Sequence, residues 1–264
     1  MAYRIFTLIF FLPFAALAQA SPPIEWKRLG DDLEIALAGP PDASLFSGEL
    51  TLLRTSLRAF RPLIIRAEQF TKPRATVKFL CNQSKASVCI NANYFDELGK
   101  PLGLVVSQGN IHQKLHRGGQ TLTGLFVIQR SGPEIVDRSY SKLSSVVEGL
   151  QAGPRLLVHG EPPQGLKENS TSTRRSGICI DQHRRLILYA VSSTLLGLTL
   201  EQTQHILLHR DIGCIEALNL DGGGSTQLFV SGSIPGGVPH GEDLSIPGRD
   251  EVPVALGLFA QERG

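Results

Sequence analysis

The residues with the clearest chemical potential lie in a short loop at positions 219–225. Asn219 and Asp221 are two residues apart, so on an extended strand an amide and a carboxylate would point to the same face. Three glycines follow at positions 222–224, and such a run lets the backbone approach a ligand closely and direct N–H groups at an anion. The alternative is a β-hairpin, because Asp-Gly is a favoured turn pair. A hairpin does not need the third glycine, so the pattern favours a functional loop that ends with Ser225.

Further candidates lie where other strands are expected to begin or end. Asn91 follows the apolar residues 88–90 and opens a polar segment that reaches Asp96. Amides at a strand end can line a binding site, but asparagine also suits a turn, and the residues leave both interpretations open. Arg155 and Arg175 each precede an apolar run. The planar guanidinium of such an arginine can hold a phosphate, although a single surface arginine is more often only solvated.

Short apolar runs separated by turn residues dominate the elements that would carry these groups. We predict strands at residues 50–54, 63–66, 88–90, 103–106, 124–128, 155–158, 177–180, 186–191, 215–220, 226–230 and 252–259. One helix is predicted from Pro73 within residues 72–81, and another at residues 200–211, where Thr199 and Gln202 form a capping-box pattern. This order predicts a mixed α+β fold in a single domain, with a largely antiparallel sheet built from hairpins and a few packed helices.

The N-terminal residues 1–20 have the pattern of a secretory signal. Arg4 precedes an apolar run that is short for a membrane span, and a small-x-small pattern ends at Ala20. We therefore predict cleavage after Ala20, a lead-in segment at residues 21–48, one domain at residues 49–264, and a periplasmic or secreted location with no membrane span in the mature chain. The net charge of +2 gives no basic field of the kind that nucleic acid requires.

The sequence contains four cysteines, and an exported compartment permits disulfides. We favour Cys81–Cys89, because the short loop between these residues is easily closed, which leaves Cys179 with Cys214. Four cysteines allow three pairings, so the sequence by itself does not fix the connectivity. A zinc site is the weaker interpretation, since neither a CxxC motif nor a neighbouring histidine pair accompanies the cysteines.

Taken in order along the chain, these motifs resemble the phosphodiester glycosidase family. The matching segments are residues 91–96 with 101–106, then 153–156, 175–178 and 217–226, so the resemblance extends over most of residues 50–259 and is most specific in the last motif. It implies that the active site contains Asn91, Phe95, Arg175, Asn219, Asp221, Gly222, Gly223, Gly224 and Ser225. The sequence departs from the family pattern where Ala92 and Asn93 replace two glycines and where Cys179 replaces another. The first departure implies a bulkier wall beside the site.

The resemblance implies an exported hydrolase whose catalytic domain is residues 49–264. Its substrate would be a sugar-1-phosphodiester of envelope or extracellular glycans, cleaved between the anomeric carbon and phosphate. Catalysis would fall to Asp221, Arg175 and Asn219, with Asp221 acting as base, nucleophile or electrostatic stabiliser. Arg175 and Arg155 would hold the phosphate, and Asn91, Asn219 and Ser225 would position sugar hydroxyls. The residues expected to bind substrate are Asn91, Phe95, Arg155, Gly222, Gly223, Gly224 and Ser225.

Several points stay open at the level of sequence. A second catalytic carboxylate is not evident, and the candidates are Asp96, Asp181 and Glu216. No cofactor is predicted; a divalent cation could bind a carboxylate beside backbone carbonyls, but too few acidic residues cluster to predict one. The alternative functions are a non-catalytic binder of sugar-phosphate polymers and an enzyme of exopolysaccharide assembly. The oligomeric state and the sugar are not predicted.

Overall fold

The computed structural model describes residues 22–40, 48–166, 171–193, 195–237 and 241–261. The signal sequence predicted at residues 1–20 lies outside the described residues. The strands are β1 Lys27–Gly30, β2 Leu33–Ala38, β3 Leu50–Thr55, β4 Phe60–Arg66, β5 Val88–Asn91, β6 Val105–Ser107, β7 Asn110–Gln113, β8 Gly124–Gln129, β9 Gly132–Asp137, β10 Glu148–Ala152, β11 Arg155–Leu157, β12 Ser176–Asp181, β13 Leu186–Val191, β14 Cys214–Asn219, β15 Leu228–Val230, β16 Leu244–Ile246 and β17 Val254–Ala260. The α-helices are α1 Val77–Ser84 and α2 Leu200–Leu207, and short 3-10 helices span Ala67–Phe70, Leu143–Ser145 and Gly223–Ser225.

In the described part of the chain the strands form three sheets. Sheet I has the order β1-β2-β3-β13-β12-β14-β11, sheet II the order β7-β6-β10-β8-β9, and sheet III the order β16-β15-β5-β17-β4. Neighbouring strands pair antiparallel in all three sheets. With the two α-helices, this arrangement confirms the predicted mixed α+β fold in a single domain.

The main core lies where one face of each sheet meets the other two. Leu218 of sheet I, Ile90 of sheet III and Phe126 of sheet II all belong to it. Because side chains alternate along a strand, the neighbours of these residues face outward; Ala217 packs in a second cluster on the outer face of sheet I, together with residues of α2. This alternation decides on which side of sheet I each candidate side chain lies.

Both α-helices are shorter than the sequence predicted. Helix α1 starts after Thr76, whose hydroxyl accepts the N–H of Phe79, and not at Pro73, because Ala75 still pairs as a β-bridge with Val252. Helix α2 has the predicted capping box at Thr199, but it ends at Leu207, because the chain then enters a turn.

The two favoured disulfides are both formed. Cys81–Cys89 joins α1 to β5, and Cys179–Cys214 joins β12 to β14. The second bond therefore joins the two paired strands that contain Ser176 and Asn219. Among the described residues, neither α-helix is long and apolar enough to cross a membrane.

The described residues of the lead-in segment predicted at residues 21–48 are hydrogen-bonded to residues of the domain predicted at 49–264. Strands β1 and β2 of this segment extend sheet I, with β2 paired to β3 over its whole length. The indole N–H of Trp26 also donates to the carbonyl of Asp211, 3.0 Å away. Hydrogen bonds thus cross the predicted boundary after residue 48.

Candidate active site

The backbone of Asp221 is fixed where the end of β14 meets sheet III. Its N–H donates to the carbonyl of Ala92 at 3.1 Å. Its carbonyl accepts the side-chain N–H of Asn91 at 2.7 Å and the hydroxyl of Ser176 at 2.9 Å. Asn91 and Ala92 lie at the end of β5 in sheet III, and Ser176 begins β12 in sheet I, so the position of Asp221 depends on both sheets.

The glycine turn, residues 222–225, holds the carboxylate of Asp221. The Gly222 N–H and the Ser225 side chain both form hydrogen bonds with that carboxylate. The turn itself is closed by the Ser225 N–H, which donates to the carbonyl of Gly222 at 3.1 Å, and by the Gly223 N–H, which donates to the carbonyl of Arg174 at 2.9 Å. The sequence predicted successive N–H groups aimed at an anion. In the structure the Gly222 N–H is used by the Asp221 carboxylate, and the Gly223 and Ser225 N–H groups bind carbonyls. Within the described turn at residues 222–225, Gly224 is the residue whose N–H has neither kind of partner.

Burial makes the Asp221 carboxyl a weaker acid than an ordinary aspartate. Desolvation raises its pKa from 3.8 to about 6, while the hydrogen bonds from Ser225 and Gly222 act in the opposite direction. The nearby negative charge of Asp250 contributes to this rise. A carboxylate with a pKa near neutrality can accept a proton more readily than one with a pKa near 4.

Asn219 and Tyr94 form a buried network next to Asp221. The side-chain nitrogen of Asn219 lies 3.1 Å from the Tyr94 hydroxyl and 3.2 Å from the carbonyl of Gly153. The Tyr94 hydroxyl in turn donates to Gly153 at 2.8 Å. Burial, and secondarily the charge of Asp221, raise the pKa of Tyr94 to about 12, so the phenol stays protonated. Asn219 therefore holds Tyr94 and the segment at Gly153 in place.

Arg175 is a buried cation whose described partners are all neutral. Its side chain is on the outer face of sheet I, where Nε donates to the carbonyl of Leu198 at 3.1 Å and Nη2 to that of Thr171 at 3.0 Å. Burial lowers its pKa, but an arginine remains charged at any physiological pH. Its charge also lowers the pKa of Tyr94 and of Tyr189. Among the described residues no carboxylate pairs with this guanidinium.

The side chain of Arg155 does not lie on the outer face of sheet I, where that of Arg175 lies. Arg155 lies opposite Leu218 in the sheet register, so its side chain shares the inner face of Leu218 and not the face of Asn219. There its guanidinium pairs with Glu216 at 2.8 Å, and the side chains are only 14% and 13% exposed. Its charge is thus satisfied within the protein.

Asn91 and Phe95 are also placed differently from a simple contact with substrate. Asn91 is fully buried. Its side-chain nitrogen donates to the carbonyl of Asp221, and its side-chain oxygen accepts the backbone N–H of Gln227 at 3.0 Å. Phe95 packs against the apolar cluster around α1, with the guanidinium of Arg74 over its ring. The neighbouring residue Tyr94 is the aromatic side chain that reaches the site, as expected from alternation along an extended segment.

The three residues considered from the sequence as a second catalytic carboxylate have contacts elsewhere in the protein. Asp96 caps the turn at residues 96–100, Asp181 pairs with Arg185 in a turn, and Glu216 pairs with Arg155. Asp250, which the sequence did not single out, is the carboxylate whose charge acts on Asp221. It lies in a glycine- and proline-rich segment that offers no motif. Nowhere in the described ranges do three His, Cys, Asp or Glu side chains group as a metal site would require; the metal-free site stays a prediction.

Comparisons with known proteins agree with this fold. The family model for phosphodiester glycosidase matches residues 84–259. No curated protein sequence matches the chain. Solved structures show the same fold at low sequence identity. The catalytic domain of zebrafish N-acetylglucosamine-1-phosphodiester alpha-N-acetylglucosaminidase, auto-inhibited by its pro-peptide, has a TM-score of 0.64 at 19% identity, with 91% of this chain and 88% of that chain covered.

Two bacterial structures are similar as well. A hypothetical protein from Synechocystis has a TM-score of 0.62 at 19% identity, with 92% of this chain covered. The match spans only 65% of the Synechocystis chain. A protein from Burkholderia pseudomallei has a TM-score of 0.55 at 12% identity, with 80% of this chain and 74% of that chain covered.

Proposed function

The chain belongs to the phosphodiester glycosidase family, a family of hydrolases, and on that premise we propose that it hydrolyses a sugar-1-phosphodiester. The bond cleaved would join the anomeric carbon of the sugar to a phosphate oxygen. The products would be a free sugar and a phosphomonoester. The matched residues 84–259 include every segment that contributes to the candidate active site, from Asn91 to Asp250.

The carboxylate of Asp221 is the observation that carries this proposal. It is held by Gly222 and Ser225, and its pKa of about 6 is suited to accepting a proton near neutral pH. Among the three carboxylates considered from the sequence as its partners, none approaches it. We therefore assign to Asp221 the role of general base.

In the proposed reaction, ionised Asp221 accepts a proton from a water molecule as the water oxygen bonds to the anomeric carbon. The bond between that carbon and the phosphate oxygen breaks, and its electron pair stays with the phosphate. Asp221 then loses the proton to solvent. Phosphate is already a good leaving group, so the main demand on the enzyme is to stabilise the positive charge that develops at the sugar and the negative charge that departs.

Arg175 is the cation best suited to the departing phosphate. Its charge is not neutralised by a carboxylate among the described residues, and burial strengthens its field. Asn219 would act through Tyr94, and Asn91 through the backbone of Asp221, so both are proposed as positioning residues. The Gly224 N–H and the Ser225 hydroxyl are the groups of the glycine turn proposed to contact substrate.

We also propose that the enzyme acts outside the cytoplasm on envelope or extracellular glycans. The signal pattern at residues 1–20 supports export. Two disulfides suit an oxidising compartment. The name of the zebrafish neighbour makes N-acetylglucosamine-1-phosphodiesters the first substrates to test.

The test compares the wild-type protein with Asp221→Asn on a panel of glycosyl-1-phosphodiesters, with release of free sugar and of phosphomonoester both measured. We expect the variant to lose at least about 100-fold in kcat, the usual effect of removing a general base. Asp243→Asn is the matched control, because Asp243 is a surface aspartate paired with Lys78. Full activity of Asp221→Asn would overturn the assignment.

The same panel separates the alternatives. Tight binding of a glycosyl phosphodiester without turnover would identify a non-catalytic binder. Transfer of the sugar to another glycan, in place of release to water, would identify an enzyme of polymer assembly.

A further inference from the structure

Asp250 approaches the active site over the third glycine of the turn. The loop at residues 247–253 is anchored there, because the N–H groups of Arg249 and Asp250 donate to the carbonyl of Gly224 at 2.7 and 3.1 Å. The Asp250 carboxylate lies directly against Gly224: a Cβ atom at this position would overlap Asp250 Oδ2. A side chain at residue 224 would therefore displace the carboxylate.

The backbone of Asp250 is tied to the same network that holds Asp221. The side-chain nitrogen of Gln227 donates to the carbonyl of Asp250 at 2.8 Å, and the N–H of Gln227 donates to Asn91, which binds Asp221. The Asp250 side chain itself is exposed and makes no ion pair or hydrogen bond among the described residues. A carboxylate that is positioned through its backbone, yet has no structural partner of its own, has no evident role in stability.

We propose that Asp250 is a positioning residue of the active site, which acts on Asp221 across the glycine turn and keeps it an effective base. This inference rests on the proposed function, since it assigns a task to Asp221. The two carboxylates contact the same short turn, Asp221 through Gly222 and Ser225 and Asp250 through Gly224. Two like charges that share a site oppose each other's ionisation.

The charges around the pair come from three segments. Tyr94, from the segment after β5, interacts with the charges of both Asp221 and Arg175, and Arg174 lies beside Gly222 through its carbonyl. Arg249 precedes Asp250 in the loop and lowers the pKa of Arg174. Burial is the largest cause of the raised pKa of Asp221, and the charge of Asp250 adds to it. Removal of Asp250 should therefore lower that pKa without abolishing the effect of burial.

This arrangement also explains why position 224 is a glycine. Gly223 has a φ of 60°, which favours glycine, whereas Gly224 is not in the left-handed region. At Gly224 the requirement is space for Asp250. Because the atom that blocks a Cβ is the end of a flexible side chain, Gly224→Ala should displace the Asp250 carboxylate at little cost to the fold.

The test measures the ionisation of Asp221 directly, by 13C NMR titration of its carboxyl carbon, together with the pH dependence of kcat/KM. In Asp250→Asn we expect the titration midpoint and the acidic limb to move to lower pH by about half a unit to one unit. Gly224→Ala should cause a shift in the same direction, and combining the two changes should add little. Glu251→Gln is the matched control, because it removes the adjacent exposed carboxylate.

An unchanged midpoint in Asp250→Asn, or an equal shift in Glu251→Gln, would overturn the proposal. The NMR titration needs no substrate, so it decides the role of Asp250 even where the wild-type protein shows no turnover. Absence of turnover would instead count against the proposed function. Because Asp250→Asn leaves the backbone hydrogen bonds in place, it remains informative if Gly224→Ala fails to fold.

Discussion

Two of the arginine and carboxylate sets on sheet I differ in how their charges are arranged. Arg155 and Glu216 form a direct ion pair of 2.8 Å on the inner side of the sheet. On the outer side, Arg175 binds only carbonyl groups among the described residues, and Asp221 is half-buried with hydrogen bonds from Gly222 and Ser225. Both sets use residues from the same few strands.

We interpret the difference as that between a structural ion pair and the two groups proposed to act in catalysis. In the first set each charge neutralises the other, so little is left to act on a ligand. In the second set the cation and the carboxylate are held apart, and the protein bears the cost of burying each. Unpaired buried charges of this kind are concentrated at functional sites.

The largest expected effect comes from exchanging the two arginines for lysine. Arg175→Lys should lower kcat/KM on a glycosyl phosphodiester about 100-fold, because an ammonium cannot keep both carbonyl contacts and present the same field. Arg155→Lys should stay within about threefold, because a lysine still neutralises Glu216. Circular dichroism and thermal melting would check that both variants fold. Equal losses in the two variants would remove the distinction between the sets.

Removal of one partner from the ion pair of Arg155 and Glu216 should mainly lower the stability of the protein. Glu216→Gln leaves the largely buried guanidinium of Arg155 without its counter-charge, and we expect the free energy of unfolding to fall by about 2–3 kcal/mol. Denaturant unfolding would measure this, with the exposed Glu97→Gln as control. A loss no larger than that of the control would show that the pair is not structural.

Removing the charge of Asp221 should instead raise the free energy of unfolding. The pKa of Asp221 is raised from 3.8 to about 6 in the folded protein, so the stability it contributes is complete below the unfolded value and is lost as pH rises through 6. At pH 7.5, the free energy of unfolding of Asp221→Asn, measured with denaturant, should therefore be about 2 kcal/mol higher than that of the wild type. The difference should shrink toward pH 4. A variant less stable than the wild type at pH 7.5 would contradict this.

The smallest expected effect concerns Tyr94, whose pKa is changed by the charges of both Asp221 and Arg175. Tyr94→Phe removes the hydroxyl between Asn219 and Gly153, and we expect kcat to fall about tenfold through loss of positioning. Tyr140→Phe is a suitable control, since Tyr140 packs in a separate cluster. Unchanged kinetics in Tyr94→Phe would show that its ring alone is sufficient.

Much of the fold could be predicted because its signals are local. Apolar runs between turn residues located most strands, and the short loop from Cys81 to Cys89 favoured the correct disulfide. Strand β10 was not predicted, since Glu148 and Gln151 interrupt its apolar pattern. In the structure both are buried and bound to backbone groups, for example Glu148 to the N–H of Ile64 at 2.9 Å. Such compensation comes from distant segments that a local pattern does not contain.

The candidate site was predictable to the extent that it lies in motifs. Asp221 and its glycines were found because three glycines after a strand are unusual. The different surroundings of Arg155 and Arg175 were not visible, because each simply precedes an apolar run, and the face of the sheet depends on register. Asp250 could not be found, because its relation to Asp221 exists only through the folded loop that contacts Gly224.

The hydrogen bonds from Asn91 to Asp221 and to Gln227 join residues 130 and 136 positions apart in the chain. Contacts so distant in sequence form late, because a long loop must close before they contribute. During refolding, hairpins such as β8 and β9 can pair while sheets I and III are still separate. The candidate active site would then be assembled only after sheets I and III have met, and recovery of activity would report that these two distant parts of the chain have reached their native arrangement.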